Sequence, residues 1–195
     1  MQDRPSVVMK SKQSSSMHVG MQLVKTGDAD AFVTMGNTGA AHAIATLQVL
    51  RRIPGVKRPA LTAIYPVDGK PVIFLDMGAN ADARPEWLEQ FALMGSIYAE
   101  TALMLPSPRV ATLSNGEEEG KGNQLVKDVQ TRLQASDLNY VGNVEPAEII
   151  AGHADVVVMD GFVGNIFLKT FETSTRYLTS TIRQEVKKSP LAMLG

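Results

Sequence analysis

The chain has 195 residues, of which 44% are hydrophobic and 20% are charged. This ordinary globular balance excludes a disordered or collagen-like chain. Nineteen basic against twenty acidic residues give a formal charge of −1, which argues against nucleic acid as a partner. The absence of cysteine excludes disulfides, zinc–thiolate sites and an acyl-cysteine intermediate.

The first third of the chain predicts two helices with a short strand between them. Ser14–Ser16 are suited to cap a helix that continues to Leu23. The apolar run Ala31–Met35 predicts a strand that leads directly into a glycine-containing loop. The segment Ala40–Leu50, rich in Ala, Ile and Leu, predicts the second helix.

The rest of the chain alternates predicted strands and helices. Two runs of β-forming residues flank Asp68-Gly69, which predicts an antiparallel hairpin. In chain order the predicted elements are strands at Leu61–Tyr65 and Val72–Leu75, a helix at Pro85–Ala102, a strand at Arg109–Leu113, a helix at Lys121–Gln134, a strand at Ala154–Met159 and a long helix after Asn165. This alternation predicts a three-layer α/β/α fold with a mostly parallel sheet and one antiparallel hairpin, in a single domain spanning residues 1–195.

Three segments that follow predicted strands are rich in glycine and side-chain amides: Gly36–Gly39, Asp76–Asn80 and Gly161–Asn165. The carboxyl ends of parallel strands form one edge of a sheet, where ligands bind. Backbone N–H groups at the starts of helices favour an anion there. Ordinary turn chemistry is the alternative for each loop, but the three together predict a site for a small anion, to which Ser14–Ser16 could contribute.

Two further features allow more than one interpretation. Arg51, Arg52, Lys57 and Arg58 place four basic residues in one loop without an acid, which suits either a solvated surface or the docking of an acidic partner. Phe171, Leu178 and Ile182 form an apolar stripe on the last predicted helix. That stripe suits a core helix, the favoured interpretation, an interfacial helix at a membrane, or a dimer contact.

Several motifs in this order resemble the bacterial phosphate acyltransferases of phospholipid synthesis, the PlsX family. They include Gly36–Ala40, Asp76–Asn80, Gly116–Glu119, Tyr140–Glu145 and, most specifically, Asp160–Thr170. The resemblance implies the fold of isopropylmalate dehydrogenase and phosphotransacetylase, and a homodimer. It also implies a cytoplasmic protein in peripheral contact with the inner membrane, and a sequence that lacks both ends of the usual longer chain.

The reaction implied by the resemblance moves a long-chain fatty acyl group from acyl carrier protein to inorganic phosphate and yields acyl phosphate. No cofactor and no metal are expected. One alternative is an acyl-CoA:phosphate transfer of the phosphotransacetylase kind. Another is a non-catalytic homologue that binds carrier protein or membrane, which departures such as Thr34-Met35 and Ser114-Asn115 leave open.

Phosphate attacking a thioester needs positioning and oxyanion stabilisation rather than an enzyme nucleophile. The residues expected to act in catalysis are Asn37, Asp76, Asn80, Asn165 and Lys169, with Lys121 as the alternative to Lys169. The residues expected to bind phosphate, through backbone amides of converging turns, are Ser15, Ser16, Gly36, Thr38, Gly39, Gly78, Gly161 and Gly164. The acidic carrier protein is expected to dock on Arg51, Arg52, Lys57 and Arg58.

Overall fold

The computed structural model describes residues 14–188, and the contacts among them divide the chain into two units that meet at the Pro59–Ala60 bond. The first unit has a small apolar core of its own. The second has two larger clusters of buried apolar residues. The assignment of all 195 residues to one domain stays a prediction.

The first unit is helical. Helix α1 (Ser16–Thr26) ends at Gly27, whose φ of 82° suits the left-handed conformation that closes many helices. Helix α2 (Thr38–Ala43) continues directly into a π-helical segment, Ile44–Val49, so the predicted helix at 40–50 is confirmed and starts two residues earlier. The core of this unit consists of Met21, Ile44 and Val49, with Met17, Phe32, Ala41 and Ala45 packed against it.

The strand predicted at residues 31–35 is wrong. This segment has no strand partner among residues 14–188, and a strand is defined by hydrogen bonds to a neighbour. Phe32 alone reaches the core of the first unit, whereas Val33 and Met35 are 88% and 98% exposed. The segment therefore has the apolar composition of a strand, but it forms no hydrogen-bonded strand pair among the described residues of this unit.

The second unit contains a five-stranded sheet in the order β1-β2-β5-β3-β4. Strands β1 and β2 are antiparallel, and the remaining neighbours are parallel. Asp68 and Gly69 have φ angles of 47° and 76°, as a tight hairpin turn requires. The predicted fold class and hairpin are thus confirmed. The strands are β1 (Thr62–Val67), β2 (Lys70–Leu75), β3 (Val110–Leu113), β4 (Tyr140–Val144) and β5 (Val156–Val158).

Helices cover both faces of this sheet. Alternate residues of β2 point to opposite faces, so Ile73 belongs to one buried cluster and Phe74 to the other. The first cluster packs under α3 (Pro85–Ala102) and α4 (Gln124–Gln134), the second under α5 (Pro146–Ile150) and the start of α6 (Gly161–Lys188). Pro85 occupies the first turn of α3 as predicted.

Strand β4 and helix α5 were not among the predicted elements. Gly142 and Asn143 are poor strand formers, and the β3–β4 register shifts between Val110 and Ala111. Gly142 has a φ of 103°, which fits this irregularity. The strand forms because it extends a parallel edge that β3 provides, which local composition does not reveal.

An ion pair ties the amino ends of β3 and β5 together. The guanidinium of Arg109 donates from Nε and Nη2 to the two carboxylate oxygens of Asp155, both at 2.9 Å. The backbone N–H of Arg109 adds a third bond, of 2.8 Å. These hydrogen bonds hold the pKa of Asp155 below its ordinary value. The pair fixes the alignment of the two strands whose opposite ends border the candidate site.

Helix α6 begins at Gly161, so the segment Gly161–Asn165 forms its first turn rather than a loop before it. Most of the rest of the helix is exposed, including Phe171 at 44%, Leu178 at 58% and Ile182 at 62%. The prediction that these three residues line a core is wrong for the part of the chain that the structure describes. No helix within residues 14–188 is both long and apolar enough to cross a membrane.

Candidate active site

The carboxylate of Asp76 organises the loop that follows β2. Its side chain is fully buried, and its Oδ1 accepts hydrogen bonds from the backbone N–H groups of Leu61, Gly78 and Ala79 at 2.9, 3.1 and 2.9 Å. Its Oδ2 accepts from the backbone N–H and the side-chain Nδ2 of Asn80, both at 2.7 Å. Five donors saturate the carboxylate, so Asp76 holds this loop in place, and its catalytic role stays a prediction.

The first turn of α6 packs directly on this loop, and two glycines make that approach possible. The N–H of Gly161 donates to the carbonyl oxygen of Asn80 at 2.8 Å. A Cβ atom on Gly161 would lie 2.8 Å from the backbone N of Asn80, and one on Gly164 would lie 1.9 Å from the carbonyl oxygen of Asp76. Both contacts are with backbone, so the loop and the helix hold each other in place.

The backbone amides expected to bind phosphate in this unit are engaged within the chain. The N–H groups of Gly78, Gly161 and Gly164 donate to Asp76 Oδ1, Asn80 O and Asp160 O, respectively. Asp160 also accepts from the N–H of Val163 and thereby caps α6 with a carboxylate. These three N–H groups are therefore engaged within the chain, and the three glycines as phosphate-binding residues stay a prediction.

Asn165 is the polar side chain that this packing presents to solvent. It is exposed, lies against Gly78, with its Cβ 3.5 Å from the position of a Cβ there, and has no hydrogen-bond partner among residues 14–188. Lys169 is also exposed and follows four residues later, on the same side of α6. Asn80 differs, because its Nδ2 is bonded to Asp76. Asn165 and Lys169 are thus open to solvent, whereas Asn80 holds the loop, and the catalytic roles of all three stay predictions.

The remaining predicted phosphate residues belong to the first unit. Ser15 Oγ bonds to His18 Nδ1 at 2.8 Å, and His18 Nε2 bonds to Gln48 at 2.7 Å. Asn37 caps α2, because its Oδ1 accepts from the N–H of Ala40 at 2.9 Å. The Ser15–His18 bond orders the start of α1, and the Asn37–Ala40 bond orders the start of α2. The roles of Ser15, Ser16, Gly36, Asn37, Thr38 and Gly39 toward phosphate stay predictions.

The basic loop lies at the end of the first unit. Arg51, Arg52, Lys57 and Arg58 are all exposed. The guanidinium of Arg52 donates to the carbonyl oxygen of Lys57 at 2.6 Å, which closes the loop on itself. The loop therefore has a defined conformation and presents a basic surface.

Two buried polar groups near the carboxyl end of β3 were not among the predicted site residues. Ser114 Oγ and Asn143 Oδ1 are buried and have no partner among the described residues. Ser114 lies in the β3–α6 groove, an apolar groove of about 910 Å³ between the carboxyl end of β3 and helix α6. In the sequence, Ser114 stands out only because Ser114-Asn115 departs from the usual family motif. The burial of its hydroxyl depends on the tertiary fold and cannot be seen there.

The loop beside this groove is held by carboxyl groups. Glu148 caps α5, and the hydrogen bond from the N–H of Glu145 lowers its pKa. The neighbouring carboxyl group of Glu148 raises the pKa of Glu117 above its ordinary value, through hydrogen bonding and negative charge.

Comparison with known proteins identifies the family to which the whole chain is similar. A family model described as fatty acid synthesis protein matches residues 1–195. The phosphate acyltransferase of Acidobacterium capsulatum is 45% identical over the whole chain, and that of Heliobacterium modesticaldum is 46% identical over the whole chain. The chain spans 58% of the length of each of these relatives.

Solved structures share the fold at lower identity. A phosphotransacetylase from Streptococcus pyogenes has a TM-score of 0.57 at 22% identity, covering 81% of this chain and 54% of its own. A branched-chain phosphotransacylase from Enterococcus faecalis has a TM-score of 0.54 at 18% identity, covering 88% and 66%. The predicted phosphotransacetylase-like fold is confirmed, and with the family match over residues 1–195 the chain belongs to the fatty acid synthesis protein family, that of the PlsX phosphate acyltransferases.

Proposed function

We propose that the whole protein transfers a long-chain fatty acyl group from the thioester of acyl carrier protein to inorganic phosphate. The observation that carries the proposal is identity of 42–46% along the chain to several curated proteins named phosphate acyltransferase. The loop ordered by Asp76 and the free carboxamide of Asn165 supply a polar site suited to this chemistry.

The reaction needs positioning more than activation. A phosphate oxygen attacks the thioester carbonyl carbon, the carbon–sulfur bond breaks, and acyl phosphate and the carrier thiol result. Asn165 Nδ2 donates to phosphate or to the oxyanion that develops on the carbonyl, and Lys169 adds positive charge. Asp76 and Asn80 keep the loop beside Asn165 in one conformation, so the donor costs little reorganisation when the charge develops.

Replacing Asn165 tests this assignment. In the whole protein we expect Asn165→Ala to lower kcat/KM for phosphate by about 100-fold, the usual effect of removing one oxyanion donor. The measurement is hydroxamate trapping of acyl phosphate with acyl carrier protein as donor. Thr179→Ala, an exposed polar position on the same helix, is the control and should retain wild-type kinetics. Wild-type kinetics in Asn165→Ala would remove Asn165 from the mechanism.

The same assay separates the alternative functions. Activity with acetyl-CoA and none with acyl carrier protein would replace the proposed donor by coenzyme A. Binding of carrier protein without any acyl phosphate would indicate a non-catalytic homologue. A homodimer and peripheral contact with the inner membrane stay predictions.

The basic loop gives a separate prediction for the partner. Carrier proteins are acidic, and opposite charge across an interface raises the association rate. We expect Arg51→Glu combined with Arg52→Glu to raise KM for acyl carrier protein about tenfold, to leave kcat unchanged and to flatten the dependence of KM on salt. Lys25→Glu is the control, because Lys25 is an exposed lysine of α1 and this substitution also replaces a positive charge by a negative one. An unchanged KM in the double variant would move the docking surface elsewhere.

A further inference from the structure

The β3–α6 groove has a mostly apolar lining. Its volume is about 910 Å³, within the range of small-molecule sites. Val126 of α4, Pro146 after β4 and the α6 residues Ile166, Phe167 and Phe171 line it. Ser114 also lines the groove, but its Oγ is itself buried from solvent. The groove therefore offers a ligand mainly apolar surface.

The topology of the sheet also indicates a ligand at this place. Strands β5 and β3 are parallel neighbours, but α6 follows β5 over one face and α4 follows β3 over the other. Helices that leave adjacent strands toward opposite faces open a crevice at the carboxyl ends of those strands, and ligands of open α/β sheets bind there. The groove occupies this crevice, between α6 on one side and the segment that leads from β3 into α4 on the other.

We infer that the β3–α6 groove holds the aliphatic chain of the acyl substrate. The inference rests on the proposed acyl transfer and adds the part of the molecule that binds the apolar half of the substrate. The lining carries no charged side chain, which suits an alkyl chain and disfavours a nucleotide or phosphate as the occupant. The family description, fatty acid synthesis protein, fits a ligand of this chemistry.

The groove is elongated along α6, as an alkyl chain requires. Its lining on this helix runs from Val163 to Ser174, about 16 Å at 1.5 Å per residue. These residues recur three and four positions apart and so form one side of the helix. The end of the groove at Val163 lies in the first turn of α6, next to Asn165, so the thioester end of the chain is placed there and the alkyl end extends toward Ser174.

Filling the groove tests the inference in the whole protein. With acyl carrier protein bearing C6 to C16 chains, we expect kcat/KM of the wild type to rise about twofold per methylene in this open groove, since full burial would give about fourfold. Ile166→Trp should lower kcat/KM for C16 at least tenfold and leave C6 within twofold. Ile97→Trp on α3 is the matched control, because Ile97 and Ile166 are both 50% exposed and α3 covers the other face of the sheet.

Equal loss of activity at C6 and C16 in Ile166→Trp would overturn the groove as the chain site.

A direct binding measurement separates failure of the groove from failure of the proposed reaction. Titration calorimetry with palmitate requires no turnover, and Ile166→Trp should weaken its binding at least tenfold relative to Ile97→Trp. If palmitate binds in this way and no acyl phosphate forms, the groove stands and the proposed reaction is wrong. If acyl phosphate forms and Ile166→Trp leaves palmitate binding unchanged, the reaction stands and the groove is wrong.

Discussion

Replacement of Asp76 by alanine in the whole protein is expected to lower the free energy of unfolding by about 3–5 kcal/mol and to abolish acyl-phosphate formation. The carboxylate is fully buried and accepts five hydrogen bonds. Alanine leaves those donors without an acceptor, and some of them beyond the reach of water. The loop then loses the conformation on which α6 rests, so Asn165 loses its position.

Asp76→Asn tests whether the charge and lone pairs of the carboxylate stabilise the loop, because it changes them while keeping the volume of the side chain. An asparagine has the same shape, but its NH₂ group must face N–H donors at one of the two oxygen positions. We therefore expect a loss of about 2–4 kcal/mol, measured by urea unfolding. Asp160→Asn is the matched control: Asp160 caps α6 by accepting from Val163, and asparagine caps equally well. Wild-type stability of Asp76→Asn would show that the loop is held by other contacts.

The fold was predictable from sequence where local pattern and tertiary structure agree. Asp68-Gly69 adopts the left-handed turn that its residue types favour. The apolar run at Val156–Val158 lies in the middle of the sheet and is buried on both faces. In both places the structure is determined by residues that lie close together in the sequence, so the local pattern predicts it. Strand β4 depends on the free edge of β3, thirty residues earlier, and pattern alone missed it.

The candidate site was predictable in part, and the glycines show why. A glycine that lets a ligand approach the backbone and a glycine that lets two backbone segments approach each other look identical in a sequence. Gly161 and Gly164 do the second in this structure, since they let α6 pack on the Asp76 loop, and their binding of phosphate stays a prediction. The predicted role of Asp76 in ordering its loop agrees with the geometry, because a carboxylate followed by amide-bearing turn residues has few other partners.

Gly164→Ala is expected to destabilise the protein about as much as Asp76→Asn, although it adds only one methyl group. The new Cβ would lie 1.9 Å from the carbonyl oxygen of Asp76 and 3.2 Å from the Cα of Met77. Alanine favours a helix over glycine by about 1 kcal/mol. Overpacking against backbone costs about 1–3 kcal/mol or more, and here no flexible side chain can yield. We expect a net loss of about 2 kcal/mol in urea unfolding, and loss of acyl-phosphate formation.

Asn165→Ala is the control for Gly164→Ala, because it places the same residue at the next position of the same helix. Asn165 is exposed, so alanine there meets no backbone and should leave the free energy of unfolding unchanged or slightly raised. If the glycine acts through packing and the asparagine through a ligand, Gly164→Ala loses stability and activity together, whereas Asn165→Ala loses activity alone. A Gly164→Ala protein with wild-type stability would mean that α6 and the loop can separate at little cost, and Asp76 would then not position Asn165.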